Sequence, residues 1–123
     1  MQTLTIIIAD DHPLFRGALV QALQAMAERL VIIECGDFST ALQAAEDNPH
    51  ADLMLLDLAM PGVSGLSGLM TLRAQHAALP IVIVSATEDG ATVRRVLDLG
   101  ASGFIAKSSR LEDIRDGIRC VLD

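Results

Sequence analysis

Asp52-Leu53-Met54-Leu55-Leu56-Asp57-Leu58-Ala59-Met60-Pro61-Gly62 is the stretch whose reading decides the fold. Its apolar run, Leu53 to Leu56, delivers one carboxylate and then breaks at Pro61-Gly62. Runs of this length bounded by turn residues read as strands buried on both faces. Asp57 then stands at the C-terminal end of such a strand, on the rim of a parallel sheet. Open α/β sheets keep their ligands and chemistry on that rim. Asp57 is therefore the candidate reactive group, and its neighbours on the rim must be found elsewhere in the chain.

Working outward, the same unit recurs. Leu4 to Ala9 is a continuous apolar run that ends in Asp10-Asp11-His12, and Pro13 suits the first turn of a helix, where its missing N–H costs nothing. Phe15, Ala18, Leu19, Ala22, Leu23 and Met26 follow at helical spacing and make one buried stripe. Leu30 to Cys35 reads as a strand, after which Asp37 or Ser39 can cap a helix with Ala41, Leu42 and Ala45 inward, stopped by Asn48-Pro49. Beyond Gly62, Ser64 can cap a helix running to about His76, with Leu66, Leu69, Met70 and Leu72 inward and its start weakened by Gly65 and Gly68. Ile81 to Ser85 is a fourth buried strand. Glu88 and Asp89 favour the N-terminus of the next helix, which turns Val93, Val96 and Leu97 inward and ends at Gly100. Ser102 to Ala106 is the fifth strand, closing on Lys107. A Ser109–Glu112 capping box then opens a last helix with Leu111, Ile114, Ile118 and Val121 on one side.

Five strand-then-helix repeats in 123 residues predict one α/β domain over residues 1–123. The form expected is a flavodoxin-like, doubly wound (βα)5 sheet of five parallel strands in the order 2-1-3-4-5. A closed eight-stranded barrel would need a longer chain.

Composition narrows the function. Sixteen acidic against nine basic residues give a formal net charge of −7, which disfavours gripping nucleic-acid phosphates. With no Trp or Tyr and three Phe, stacking platforms for bases or flavins are not expected. No apolar stretch reaches bilayer-spanning length, so a membrane role is not expected. Cys35 and Cys120 have neither metal nor redox spacing and read as free thiols of a reducing cytoplasm.

The ends of strands one, three, four and five share one rim. That rim holds Asp10 and Asp11, Asp57, Ser85 and Lys107. Crowded carboxylates repel unless a cation joins them, and oxygen-only ligands with positions left to water suit Mg²⁺. A dication and the Lys107 ammonium would suit an incoming phosphoryl group, whose transfer is mostly positioning and charge neutralisation. Aspartate is an adequate nucleophile for making an acyl phosphate. Taken singly, each residue has an ordinary reading: a turn Asp, a helix cap, a strand-end hydroxyl, a surface lysine. Their coincidence at four strand ends favours the chemical one. His12, next to Pro13, reads as a turn or cap-region residue, and His50 and His76 as solvated at helix ends. Arg94, Arg95, Arg110, Arg115 and Arg119 fall on helix exteriors.

Ala9-Asp10-Asp11-His12-Pro13-Leu14-Phe15-Arg16, Leu56-Asp57-Leu58-Ala59-Met60-Pro61-Gly62-Val63-Ser64-Gly65, Val84-Ser85-Ala86 and Gly100-Ala101-Ser102-Gly103-Phe104-Ile105-Ala106-Lys107 together resemble the receiver domains of two-component response regulators, over essentially the whole chain. The Asp-Asp-His-Pro opening resembles the NarL/FixJ (LuxR-type) subfamily, whose members usually join a receiver to a C-terminal helix-turn-helix DNA-binding domain.

The resemblance implies a CheY-like fold and a role for each rim residue. Asp57 would accept a phosphoryl group from a sensor histidine kinase. Asp11, Asp57 and the backbone carbonyl of Ala59 would ligate Mg²⁺, with Asp10 acting mainly through a metal-bound water. Lys107 would pair with the phosphoryl oxygens and Ser85 would hydrogen-bond one of them. Phe104 matches the family's aromatic switch position but lacks the usual phenolic hydroxyl, so its signal must be steric. Lys107-Ser108 replaces the common Lys-Pro, so a trans bond is expected there. The output would run through the fourth helix, fifth strand and fifth helix. A homodimer could form there or through the first and fifth helices. The protein would be a phosphoacceptor switch rather than an enzyme. No helix-turn-helix follows the fifth helix. The chain is thus expected to be an isolated receiver or a single-domain regulator, contacting DNA only through an absent C-terminal domain. A Mg²⁺-dependent aspartyl-phosphate phosphatase is the rival, although such enzymes carry Asp-x-Asp rather than an adjacent pair. A flavin module would want donors where this chain is acidic.

Overall fold

A computed structural model describes residues 3–27, 29–62, 66–87 and 89–122. Strands and helices alternate: β1 (Thr3–Ala9), α1 (Pro13–Gln24), β2 (Arg29–Cys35), α2 (Phe38–Asp47), β3 (Leu53–Asp57), α3 (Ser67–Gln75), β4 (Ile81–Ser85), α4 (Gly90–Asp98), β5 (Gly103–Ala106) and α5 (Leu111–Leu122). All neighbouring strands run parallel, in the order β2-β1-β3-β4-β5. This is the expected doubly wound sheet.

The pleat explains why both faces are apolar, because successive side chains leave a strand on opposite sides. Ile6, Ile8, Leu53, Leu55, Val82, Val84 and Ile105 point one way and pack with Leu19 and Leu23 of α1 and Ile114 and Ile118 of α5. Ile7, Ala9, Met54, Leu56, Ile81 and Ile83 point the other way, against Ala41, Ala44 and Ala45 of α2, Leu69 and Leu72 of α3 and Val96 of α4. Every residue of β3 and β4 is buried. Each fully buried aliphatic side chain contributes roughly 1.5–3 kcal/mol. The sheet centre is therefore the rigid base on which the rim loops sit.

Local chemistry sets the element ends. Pro13 opens α1 after an extended His12 (φ −99°, ψ 102°). Asp37 caps α2 by accepting the Thr40 N–H at 2.8 Å, and Asp89 caps α4 through the Ala91 N–H. Gly100 follows α4 with φ +104°, a conformation that side chains other than glycine's rarely adopt. A Cβ there would also lie 2.9 Å from Arg73 Nε, so a side chain would have to push the Arg73 side chain aside as well.

Several expectations are corrected. Met70 is 54% exposed and Leu97 45% exposed rather than inward. Each lies one residue, about 100° of helix, past a buried neighbour, Leu69 or Val96, and these narrow helices bury only a thin stripe. The last helix starts one residue later than a Ser109 cap requires. The Arg110 carbonyl takes the Ile114 N–H, and Glu112 pairs with the Arg110 guanidinium at 3.3 Å. His76 is half-buried at the C-terminus of α3, with Nε2 out of solvent and without a hydrogen bond. The expected contributions of Ser64, Gly65 and Glu88 lie outside the described residues. Among the described residues, no peptide bond is cis and no helix is long and apolar enough to cross a membrane.

Candidate functional site

Four strand ends build the site. Asp57 is the last residue of β3, and its register partner on β4 is Val84, so Ser85 follows one step along the rim. Asp10 leaves β1 directly. Its N–H donates to the Cys35 carbonyl (2.9 Å), and Arg16 from α1 donates to its carbonyl through Nη1 (2.8 Å). Arg16 is itself held by Glu34 on β2, Nε to Oε1 at 2.9 Å. Lys107 leaves β5 with its N–H donating to the Ser85 carbonyl (2.8 Å), which continues the β4–β5 ladder to the site.

The side chains then converge as expected from their positions in the chain. Lys107 Nζ lies 3.1 Å from Asp57 Oδ2 and 3.0 Å from Asp10 Oδ2. Asp10 and Asp57 are buried, at 1% and 3% exposure, so their charges require partners. Asp57 Oδ1 accepts the Ala59 N–H at 3.1 Å, which fixes the carboxylate plane. The lysine also stands over the ring of Phe15, 5.1 Å from its centroid, a cation–π contact that steers the ammonium inward. Asp11 is half-buried at the same edge.

Three carboxylates against one ammonium leave the pocket with excess negative charge. Asp10 Oδ2 and Asp11 Oδ1 are buried atoms without a well-formed hydrogen bond, the first 3.0 Å from the Lys107 ammonium and the second 3.2 Å from the His12 ring. Ligand atoms of Asp10, Asp11, His12 and Asp57 lie within 4.8 Å of one another. Hard oxygen donors at this spacing, in excess over the single ammonium, fit a small divalent cation. They do not fit an anion, which the same oxygens would repel.

Two rim residues are placed but not engaged with Asp57. The Ser85 hydroxyl accepts the Thr87 N–H at 3.2 Å. Phe104, paired with Ile83 across β4–β5, is half-buried against the core layer beneath α2, α3 and α4. Ala59 meets Asp57 through its N–H.

The sequence reading missed three residues. Arg16 and Phe15 resemble an ordinary surface arginine and a core aromatic until the fold brings them to the loop that carries Asp10. His12, set aside as a turn residue, places Nδ1 3.1 Å from Asp10 Oδ1, 3.2 Å from Asp11 Oδ1 and 2.8 Å from Lys107 Nζ. Its signal was Pro13, which holds the helix start and leaves His12 extended beside the acidic pair. Cys35, near Asp10, is no nucleophile. Burial pushes its thiol above the usual range, and the thiol donates weakly to the Thr40 carbonyl at 3.6 Å.

The family profile described as "Response regulator receiver domain" matches residues 6–119. The glycerol metabolism activator of Pseudomonas putida is 42% identical over 118 residues, covering 96% of this chain and 53% of that protein. The nitrate/nitrite response regulator protein NarP of Escherichia coli (strain K12) is 35% identical over 114 residues, covering 93% of this chain and 53% of its own length. The NarL signal receiver domain from Mycobacterium tuberculosis superimposes with a TM-score of 0.86 at 30% identity, covering 98% of both chains. The chain spans about half the length of the curated relatives it matches.

Proposed function

The chain belongs to the response regulator receiver domain family, as a receiver of the NarL type, and from that premise we propose that Asp57 is its phosphoacceptor. The observation that carries this reading is the Lys107 ammonium, which contacts Asp57 and Asp10 together across 50 and 97 residues of chain. A carboxylate of Asp57 attacks the phosphorus of a sensor kinase's phosphohistidine. A P–O bond forms, the P–N bond breaks, and the leaving imidazole keeps the electron pair. Asp11, Asp57 and the Ala59 carbonyl would hold Mg²⁺, with Asp10 acting through a bound water, and the ion would supply charge neutralisation to the phosphoryl oxygens. Lys107, already at the carboxylate, pairs with the transferred group. Phe15 and the strand-end backbone keep that amine oriented.

Switching follows from charge. The phosphoryl group adds acceptor oxygens to which the Ser85 hydroxyl, now only an acceptor from the Thr87 N–H, can donate by swinging toward Asp57, and Phe104 takes up the space that this movement vacates. Moving such an equilibrium from rare to dominant needs roughly 5.5 kcal/mol of differential binding. The face made by α4, β5 and α5 reads the change, through homodimerisation or a following domain, with α1 and α5 as the other dimer surface. We propose that residues 1–123 act as one receiver in the cytoplasm. The receiver switches rather than turns over substrate, and any contact with DNA runs through a C-terminal DNA-binding domain rather than through this one.

Acetyl phosphate with Mg²⁺ tests the assignment. Intact-mass measurement is expected to find one phosphate adduct on the wild-type chain and none on Asp57→Asn. An adduct that persists on the variant would remove Asp57 from the role.

A further inference from the structure

Of the four groups in the pocket able to ligate a metal, three bring carboxylate oxygens and the fourth is the imidazole of His12. Its backbone N–H donates to Asp10 Oδ1 at 2.8 Å, and its Nδ1 lies 3.6 Å from Asp57 Oδ2 as well as beside Asp10 and Asp11. The closest partner of Nδ1 is the Lys107 ammonium, at 2.8 Å. In the tautomer with the ring proton on Nε2, Nδ1 accepts from the ammonium and can offer the same lone pair to a cation, whereas an Nδ1–H would donate to the carboxylates. The first tautomer turns an electron pair toward the same point as the carboxylates. Among those, Asp10 is 1% exposed, and its Oδ2 has the Lys107 ammonium at 3.0 Å, while Asp11 Oδ1 has the His12 ring at 3.2 Å; neither buried oxygen has a well-formed hydrogen bond. Donors that repel one another share such a point only around positive charge.

We propose that His12 Nδ1 is a direct ligand of the divalent cation held by Asp11 and Asp57, which makes the pocket a mixed nitrogen–oxygen site. The inference rests on the pocket taking a divalent cation at all. Imidazole suits borderline transition ions such as Ni²⁺, whereas Mg²⁺ prefers oxygen. His12 therefore widens the range of metals beyond what three carboxylates would select. Its ring is 59% exposed, so the side chain can be removed without opening the core.

Pulsed electron paramagnetic resonance of the Mn²⁺-loaded chain reads nitrogen at the ion directly. Calorimetric titration then compares Ni²⁺ with Mg²⁺. The wild-type chain is expected to show imidazole nitrogen coupling that is absent from His12→Ala. The variant should bind Ni²⁺ at least about tenfold more weakly and lose less of its affinity for Mg²⁺, with an unchanged urea midpoint in the absence of metal reporting an intact fold. Bound Mn²⁺ without nitrogen coupling, or coupling that survives in His12→Ala, overturns the His12 assignment alone. Failure of any of these ions to bind, or binding that survives Asp11→Asn, instead overturns the underlying reading of the pocket.

Discussion

Lys107 is the residue on which the electrostatics of the pocket balance. Its side chain is 14% exposed and faces two carboxylates that are almost fully buried. Removing one partner of such a cluster strands the others, which typically costs 3–5 kcal/mol, far more than the near-zero value of a surface pair. Lys107→Met is therefore expected to lose about 3 kcal/mol in a urea denaturation curve without metal. An unchanged midpoint would show that solvent, not the lysine, satisfies Asp10 and Asp57. The types and spacings of Asp10, Asp11, Asp57 and Lys107 made them legible in the sequence, because few other side chains can serve a phosphoryl group at a strand end. His12 and Arg16 were not legible. A histidine before a helix and an arginine in its first turn each have several ordinary uses, and only the neighbours supplied by β2, β3 and β5 separate them.

Among the elements, α2 shows how a single cap ties stability to pH. The Thr40 backbone N–H and then its hydroxyl donate to the Asp37 carboxylate and hold its pKa below the ordinary value of 3.8. A carboxyl depressed in the folded state contributes stability that is present above its unfolded value and is lost as the pH falls through the depressed one. Asp37→Ala should therefore lower Tm at neutral pH, and the gap to wild type should shrink as acid protonates Asp37. A gap that is constant with pH would mean that the charge plays no part. Helix starts were read well where a capping side chain survives in the fold, as at Asp37 and Asp89, and poorly at α5, where Arg110 rather than Ser109 precedes the first turn. Inward faces were read correctly for β1, β3, β4 and α1, whereas edge strand β2 leaves Val31 exposed and α5 leaves Leu111 exposed. In α3 and α4 the hydrophobic pattern offered more apolar residues than the sheet has room to cover, so Met70 and Leu97 remain at the surface.

For the whole molecule, the formal charge of −7 is concentrated functionally where Asp10, Asp11 and Asp57 meet. A cation that binds the folded pocket and not the unfolded chain stabilises by mass action, about 2.7 kcal/mol at a hundred times its Kd. Tm should thus climb with MgCl₂ concentration well beyond the effect of NaCl at equal ionic strength. Asp11→Asn should flatten that climb, and an identical response in the variant would place the effect elsewhere. The sequence by itself determined the alternation of strand and helix, the parallel sheet and the acidic rim with its amine, because buried-strand runs and turn residues are local signals. Only the tertiary structure decided which side chains touch: that His12 joins the carboxylates, that Arg16 clamps the loop of Asp10, and that Met70 and Leu97 stay outside. Those outcomes depend on distances between residues far apart in the chain, which are set by how the sheet and its two helical layers pack and are not encoded by any one segment.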